Sequence, residues 1–466
     1  MKKLMSIKIS SLTPIMLGGY NTFLDYIVRP TTLRGILRWW LRAIIAGAAI
    51  HLNKDPVDAV KRIVPKCLGG TEEESKSSRI KILVEGNIIK LRKKLWKEIR
   101  PREGREFRVS INFDHQRMQL LYMAIDKDIL KELDIKSKKD FERKKRDFED
   151  KLLERLSEHV GSIKEARLEI YTFSSKIDIE DQLICMTLIL ALLFNGIGKG
   201  ARRGLGAVKI TEINLHDKVI KDAFLEILPN LERPTFNPEI LKRLIQKTLD
   251  IAKDVVRKQK ENIKDLAIRD LPPIPALHQE FAKIYIINTN GKDLYDIICE
   301  INKVLFLRQH PMGLGIKLRG IKNPRQAVRV IGHYILGLPR SARGRTRDGI
   351  ELNIHASELK FLQQNLIRKI GKTGIVYFRN NEEARRASPI ILSAIDDYKV
   401  SIVMFISKDW PKTSPNEKLI WLTTKPLRGR RISIPRLKEA YDMVQAYIER
   451  KLGSVIGVDR INRIFP

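Results

Sequence analysis

Two patterns of hydrophobic positions alternate along the chain, one typical of strands and one typical of helices. Loosely alternating apolar residues over 4–17 predict a strand that ends at the glycine pair 18–19. Helical spacing begins after Pro30, and its apolar positions are Leu33, Leu37, Trp40, Leu41, Ile44 and Ile45. Gly47 predicts the end of this helix, so the chain opens with one strand and one helix.

The same two patterns continue along the chain and predict an α+β protein. Further helices are predicted at 179–194, 239–268, 293–306, 323–337 and 436–452. Further strands are predicted at 109–113, 167–174, 207–213, 283–289, 350–354, 374–378, 389–395 and 399–406. Three prolines between Pro229 and Pro238 predict a boundary that separates an N-terminal domain, 1–228, from a C-terminal domain, 229–466.

The two halves share a short echo in sequence. In each half an apolar helix ends at glycine and leads into a basic loop, 199–202 (KGAR) in the first and 340–343 (RSAR) in the second. Strand-like residues follow both loops, which favours a tandem pair of α+β modules. Residues 131–158 carry ten basic and nine acidic side chains, which predicts a solvated helical insertion with many ion pairs.

The charge of the chain narrows the class of partner. Its 466 residues include 88 Lys and Arg and 55 Asp and Glu, which gives a net charge of +33. A polyanion would offset the self-repulsion of such a chain, and nucleic acid is the commonest polyanion. An anionic membrane surface is the alternative. The longest apolar run, Leu183 to Phe194, has 12 residues, whereas a membrane-spanning helix needs about 20.

Cysteine usage and the N-terminal residues indicate the compartment. Cys67, Cys185 and Cys299 lie far apart without a CxxC pair, which excludes a disulfide framework and disfavours a cysteine-based zinc site. A reducing compartment follows. The N-terminal residues have neither the apolar segment nor the cleavage site of a signal peptide. We therefore expect a cytoplasmic protein with no cofactor and no bound metal.

The first candidate site is the basic helix in 29–42, RPTTLRGILRWWLR. Three of its arginines lie four residues apart and form one stripe, and a fourth precedes the helix. These cations are Arg29, Arg34, Arg38 and Arg42. No acidic residue occurs in 26–54, so RNA phosphates, a partner protein or distant carboxylates of the same fold must offset the repulsion. Trp40 shares the apolar face, whereas Trp39 lies nearer the arginines and is a candidate for stacking on a base or contacting a partner.

The second candidate site is the loop 196–206, GIGKGARRGLG. Its five glycines permit close approach of the backbone to an anion, and Lys199, Arg202 and Arg203 add positive charge. The loop lacks GxxxxGK[ST] and follows a helix instead of a strand, so it is neither a Walker A loop nor a dinucleotide fingerprint. It predicts contact with a phosphodiester backbone; a flexible turn with solubilising charges is the alternative.

Two further stretches lack acidic residues. The stretch 313–347 carries nine Lys and Arg, and 425–436 carries five. The candidate RNA-facing or interface residues in the longer stretch are Lys317, Arg319, Arg340, Arg343, Arg345 and Arg347. Because basic, acid-free segments recur in both halves, the sequence predicts that they converge into one continuous basic groove.

These motifs resemble the RAMP superfamily of CRISPR proteins. The basic helix after an N-terminal TPIMLGG, the loop GIGKGARRGLG, and the later GLPRSARG and RRASPIILS are most similar to the first subunit of the Cmr-type (type III-B) effector complex. The resemblance implies two tandem ferredoxin-like (RRM-like) modules with helical insertions. It also implies a non-catalytic, antiviral subunit at the guide RNA 3′ end. Its expected partners are guide RNA, target RNA and other RAMP subunits of the complex, with no membrane partner.

One enzymatic alternative remains open at the level of sequence. A metal-independent RAMP endoribonuclease that processes guide precursors would need a general base, and His51, at the end of the basic helix, is the candidate. The eight histidines form no HxH or HExxH motif, and no GxSxG is present. We therefore expect a protein without catalytic residues.

Overall fold

A computed structural model of the chain defines the positions of most of its elements. It describes residues 1–16, 28–70, 77–86, 88–90, 95–102, 107–113, 126–157, 160–306, 342–345, 351–354, 374–379, 382–383, 389–408, 417–422 and 437–466. The helices in these ranges are α1 (Pro30–His51), α2 (Pro56–Leu68), α3 (Asp126–Glu132), α4 (Lys138–Arg143), α5 (Lys145–Ser157), α6 (Ile179–Phe194), α7 (Lys218–Leu225), α8 (Pro238–Lys258), α9 (Leu294–Phe306) and α10 (Leu437–Ile456).

The strands form several antiparallel sheets. They are β1 (Lys2–Ser11), β2 (Ile15–Met16), β3 (Ile80–Glu85), β4 (Ile88–Lys90), β5 (Trp96–Arg102), β6 (Arg108–Phe113), β7 (Val160–Ile163), β8 (Ala166–Thr172), β9 (Val208–Leu215), β10 (Ala282–Asn288), β11 (Ala342–Arg345), β12 (Glu351–Ile354), β13 (Gly374–Arg379), β14 (Glu382–Glu383), β15 (Ile390–Asp396), β16 (Lys399–Phe405), β17 (Glu417–Leu422) and β18 (Ile461–Phe465). The α+β class predicted from the sequence is confirmed.

Two four-stranded sheets have the same internal order. Sheet one runs β3-β8-β1-β9, and sheet two runs β15-β16-β10-β18. Along the chain, each sheet is built as strand, helix, strand, strand, helix, strand, with α1 and α6 in the first and α9 and α10 in the second. In both sheets the first strand of the unit therefore lies between the third and the fourth.

Helices separate the two sheets. One hydrophobic cluster joins the inner face of sheet one, α1, α6 and α8 to one face of sheet two, where Ile284, Val403 and Phe405 point. A second cluster packs the opposite face of sheet two against α9 and α10. Because α6 lies between two sheets, it is buried from Leu183 to Phe194 on every side, which accounts for its unbroken apolar sequence.

Gly47 corrects the predicted end of the first helix. The helix α1 continues to His51, and Gly47 is buried inside it. A Cβ at this position would lie 2.0 Å from the carbonyl oxygen of Leu277, on the segment that leads into β10. This glycine therefore permits close approach between the halves and does not end the helix.

The other helix predictions are largely confirmed. The helices α6, α9 and α10 match the predicted ranges within a few residues, while α8 ends at Lys258, ten residues before the predicted end. The predicted helix at 323–337 lies outside the described residues. In 131–158, the short helices α3, α4 and α5 surround their own small core, and ion pairs such as Arg155 with Glu132 line the surface.

The echo between the two halves does not mark equivalent strands. The loop 199–202 leads into β9, the fourth strand of sheet one. Its counterpart 340–343 runs into β11, which pairs with β12 and not with sheet two. The strand of sheet two that corresponds to β9 is β18, and β18 does not follow the loop 340–343. The similar loop sequences therefore do not mark the structural repeat.

Candidate nucleic-acid interface

The arginine stripe of α1 divides into two paired residues and one exposed residue. Arg34 donates to the carbonyl oxygen of Ile80 at 3.2 Å, where β3 begins. Arg38 donates to the carbonyl oxygens of Leu68 and Gly69 at 2.9 and 3.0 Å. Both side chains are half-buried. Main-chain carbonyl oxygens are therefore the partners of Arg34 and Arg38, and the sequence analysis did not predict them.

The position of Arg38 explains its partners. The last carbonyls of a helix have no intrahelical donor and carry a partial negative charge. Leu68 ends α2, so the guanidinium of Arg38 satisfies two such oxygens and holds α2 against α1. Arg42, one turn further along α1, is exposed and has no hydrogen bond or ion pair within the described ranges.

Trp39 joins the two candidate sites. The guanidinium carbon of Arg202, in the glycine loop, lies 4.4 Å from the centroid of the Trp39 ring. The Trp39 ring also meets Phe405 of sheet two edge to face, with centroids 5.2 Å apart. Trp40 is buried and stacks on Phe194 at 5.9 Å, as predicted for a core residue. Trp39 is half-buried, and its ring contacts an arginine of the same chain.

The glycine loop is a packed element. Ile197 donates its N–H to the carbonyl oxygen of Gly206 at 2.7 Å, and Gly206 donates to Pro14 at 2.8 Å. The backbone N–H of Lys199 donates to the carbonyl oxygen of Met16 at 3.1 Å. Gly206 has a φ of 66°, and a Cβ there would lie 1.9 Å from the Ile197 oxygen, so only glycine fits. Several loop N–H groups are therefore used within the fold.

The same loop connects the two sheets. Leu392 of β15 donates its N–H to the carbonyl oxygen of Arg202 at 3.2 Å. Asn302 of α9 donates its side-chain amide to the carbonyl oxygen of Arg203 at 2.7 Å. Lys199 is exposed, whereas Arg202 and Arg203 are half-buried. These hydrogen bonds hold the backbone of the loop, which carries Lys199, Arg202 and Arg203, at the junction of the halves.

We call Trp39, Arg42, Lys199 and Arg202 the α1–loop surface. Arg42 follows Trp39 by three residues on α1, so the two side chains are neighbours on the helix. Arg202 lies over Trp39, and Lys199 is in the same loop. The structure therefore brings the first two predicted sites together. Arg29 precedes α1 and is half-buried at its start.

The third and fourth basic stretches are only partly described. Lys317, Arg319, Arg340 and Arg347 lie outside the described residues, as does the whole of 425–436. Arg343 and Arg345 belong to β11, where they are in register with Asn353 and Glu351 of β12. The continuous basic groove therefore stays a prediction for this part of the chain.

The outer face of sheet one carries lysines of a different kind. Lys3 pairs with Glu169 of β8, and Lys8 pairs with Glu212 of β9. Tyr171 also donates its hydroxyl to Glu169 at 2.7 Å. Hydrogen bonds from Lys3 and Tyr171 lower the pKa of Glu169, and those from Lys8 and Asn214 lower the pKa of Glu212. Both carboxylates therefore stay charged and neutralise their lysines.

His51 has a neighbour that its sequence position does not reveal. Its ring centroid lies 4.2 Å from that of His278, which is buried and stacked on Phe281. Burial, and the proximity of His51, lower the pKa of His278 to about 4. Burial and the charge of Lys253 lower the pKa of His51 as well. Both imidazoles are therefore neutral at pH 7.

The described part of the chain has neither a metal-binding cluster nor a membrane-spanning helix. No group of three or more His, Cys, Asp and Glu side chains there is arranged to hold a metal ion. No helix in these ranges is both long enough and apolar enough to cross a bilayer.

One part of the chain matches a known protein family. Residues 8–209 match the family model of the RAMP superfamily. The matched segment contains α1, the glycine loop and sheet one up to the start of β9. No match was found among curated proteins.

Two solved structures align with nearly the whole chain. A crystal structure of Cmr1 from Pyrococcus furiosus in the apo form shares 16% identity over 99% of this chain and 98% of that chain, with a TM-score of 0.44. A chain of a Type III-B Cmr-beta complex bound to cognate target RNA shares 15% identity over 96% of this chain and 100% of that chain, with a TM-score of 0.48.

Proposed function

We propose that this chain is an RNA-binding, non-catalytic subunit of a type III-B CRISPR ribonucleoprotein in the cytoplasm. It lies at the 3′ end of the guide RNA and contacts guide RNA, target RNA or both, beside other RAMP subunits. Support comes from the RAMP match over 8–209, the Cmr-type motifs in both halves and the net charge of +33. A membrane is not among its partners.

The fold proposed for this subunit is a pair of ferredoxin-like modules. The shared order of sheets one and two, with the first strand between the third and fourth, supports this assignment. The division at 228/229 remains part of the proposal. The helix α8, which follows that boundary, packs on α1 and α6, so the two modules share one hydrophobic core.

The observation that carries the proposal is the stack of Arg202 on Trp39. Two motifs more than 150 residues apart in sequence meet at a distance of 4.4 Å, and both bring cations to the same place. Lys199 and Arg42 are exposed there without an acidic partner in the described ranges. Both cations stand on an ordered backbone, in α1 and in the packed loop, and exposed cations can meet the phosphates of a single-stranded RNA backbone.

The test is RNA binding by the full chain, measured by fluorescence anisotropy with a single-stranded RNA at several salt concentrations. The variant is Arg42→Glu/Lys199→Glu. Reversing two phosphate contacts should weaken binding about tenfold or more. The slope of log K against log salt should become shallower by about 1.4, since each phosphate contributes about 0.7.

A matched control separates local contacts from net charge. Lys221→Glu/Lys242→Glu makes the same change in charge at exposed positions of α7 and α8. This control should bind RNA nearly as the wild type does. If both double variants bind equally, or if the wild type binds no RNA, the proposed function is wrong.

The endoribonuclease alternative can be tested on the histidine pair. A general acid must carry a proton at working pH, and a pKa of about 4 leaves His278 neutral at pH 7. The pair therefore suits packing better than acid–base catalysis. Incubation of wild type and His51→Ala with guide precursor RNA in EDTA should give no cleavage by either. Cleavage by the wild type that the variant loses would establish the enzyme.

A further inference from the structure

A cleft of mixed polar and apolar lining lies between the two halves, next to the glycine loop. Its volume is about 400 Å³, within the range of about 300–1,000 Å³ typical of ligand sites. The first half contributes the segment that follows β1, from Ser11 to Pro14, together with Ser162 of β7. The second half contributes the start of α9, from Lys292 to Tyr295, and the β15–β16 turn. Neither half forms this cleft alone.

One wall of the cleft presents an exposed aromatic ring on a hydrogen-bonded turn. Tyr398 is 66% exposed, more than any other large apolar or aromatic residue described inside the chain. Its backbone is fixed on both sides, since its N–H donates to Asp396 at 2.9 Å and its carbonyl accepts from Thr289 at 2.8 Å. An exposed ring on a fixed backbone is suited to stacking on a planar ligand.

The charges in the cleft differ from those of the chain as a whole. Asp293 and Asp397 line it together with one cation, Lys292. One oxygen of Asp293 accepts the N–H of Asp296 at 3.0 Å, and Asp397 pairs with Lys209. A carboxylate has two oxygens and about four acceptor positions, so both groups retain acceptor capacity. The cleft thus combines a stacking ring, hydrogen-bond acceptors and one cation.

This combination fits an unpaired nucleotide better than a duplex or a backbone alone. Bases of single-stranded RNA are recognised by stacking on aromatic rings and by hydrogen bonds to their Watson–Crick edges. Carboxylates accept hydrogen bonds, so they select bases that donate there, and guanine offers two adjacent donors, its ring N–H and its amino group. Lys292 would meet the phosphate of the same nucleotide.

We propose that this cleft binds one unpaired guanine nucleotide of the RNA, with its base on Tyr398 and its donor edge toward Asp293 and Asp397. The inference rests on the proposed RNA-binding function and adds base selectivity to it. The α1–loop surface supplies affinity without sequence preference. The cleft supplies a preference at one position of the strand.

The experiment compares uridine 12-mers that carry one central guanosine or one central adenosine, with binding to the full chain measured by anisotropy. The wild type should bind the guanosine strand about five- to tenfold more tightly, in line with a two-contact base pairing to a side chain. Tyr398→Ala should weaken binding of the guanosine strand about fivefold or more, and Tyr398→Phe should restore it. Asp293→Asn/Asp397→Asn should abolish the preference, while asparagine still caps α9.

A matched control is Phe173→Ala, which removes another aromatic side chain, 60% exposed, just after β8. It should leave both affinities unchanged. If Tyr398→Ala binds both strands like the wild type while Arg42→Glu/Lys199→Glu is impaired, the cleft inference is wrong and the proposed function stands. If Tyr398→Ala impairs only assembly with other subunits, the cleft is a protein contact and the inference is also wrong.

Discussion

The α1–loop surface and the outer face of sheet one begin from similar sequences and end with different electrostatics. The strand β1 lies in a stretch without any acidic residue before Asp25, and α1 lies in another. Yet Lys3 and Lys8 of β1 are neutralised by Glu169 and Glu212, whereas Arg42 and Lys199 have no carboxylate partner among the described residues. Absence of acid along the sequence therefore does not make a surface cationic.

The difference arises from strand register. Glu169 lies opposite Ser6 in β8, and Glu212 lies opposite Lys8 in β9, so antiparallel pairing brings distant carboxylates onto the lysine face. Arg34 and Arg38 of α1 instead meet main-chain oxygens, which leave their charge in place. We expect an interface to be marked by exposed cations, such as Arg42 and Lys199, that have no carboxylate partner among the described residues.

The largest expected effect comes from breaking the support of the α1–loop surface. Gly206→Ala places a Cβ against the Ile197 oxygen at a φ of 66°. This should lower the free energy of unfolding by about 3 kcal/mol or more and abolish RNA binding, because the loop loses its shape. Gly35→Ala is the control, since nothing lies within 4 Å of a Cβ there. It should be neutral or stabilising by up to about 1 kcal/mol in chemical denaturation.

A second variant tests the stack that joins helix and loop. Trp39→Ala removes the contacts with Arg202 and Phe405 and should cost about 2–3 kcal/mol of unfolding free energy, less than for a fully buried tryptophan. It should also weaken RNA binding. Trp39→Phe should recover part of both in thermal melts and anisotropy. Normal stability and normal RNA binding in Trp39→Ala would show that the loop positions Arg202 without the ring.

A third prediction concerns the contact of half-buried His51 with buried His278, where burial disfavours the charged imidazole. The pKa of His278 is lowered from 6.5 to about 4, so the unfolded chain binds more protons than the folded chain between these values. Stability should therefore fall as pH falls below 6.5, by about 2 kcal/mol between pH 7.5 and pH 5. Urea titrations at the two pH values would measure this.

The variant His278→Phe is the control for this pH dependence. Lys253, Asp250 and Glu280 are the charged groups near the pair. In His278→Phe the drop in stability between the two pH values should shrink. An undiminished drop in that variant would assign the pH dependence to other groups.

The smallest effect is expected from a variant that leaves the lysines on the outer face of sheet one unpaired, like Arg42 and Lys199 of the α1–loop surface among the described residues. Glu169→Gln/Glu212→Gln leaves Lys3 and Lys8 without carboxylate partners at a cost of about 1 kcal/mol, because the glutamine oxygens can still accept their hydrogen bonds. Binding of RNA should strengthen about twofold at low salt and return to the wild-type value at high salt. An unchanged affinity at low salt would mean that unpaired lysines on this face do not attract RNA.

Much of the local structure follows from sequence, and the contacts of the site do not. Helical spacing predicted α6, α9 and α10 because their apolar faces pack on sheets. It placed the end of α1 wrongly at Gly47, since a glycine used for close packing looks the same in sequence as a glycine that ends a helix. The partners of Arg34 and Arg38 were missed because main-chain oxygens leave no signal in residue identity.

The sequence by itself determined the α+β class, the positions of the basic motifs, the core role of Trp40 and the likeness to RAMP proteins, because these depend on residues close together in the chain. Tertiary structure alone decided which cations stay unneutralised and which rings meet. Arg202 reaches Trp39, and Tyr398 reaches a cleft shared by both halves, only after two sheets pack around α1 and α6. Ion pairs and ring contacts form at separations of a few ångströms, and those distances are set by packing between residues that are far apart in sequence.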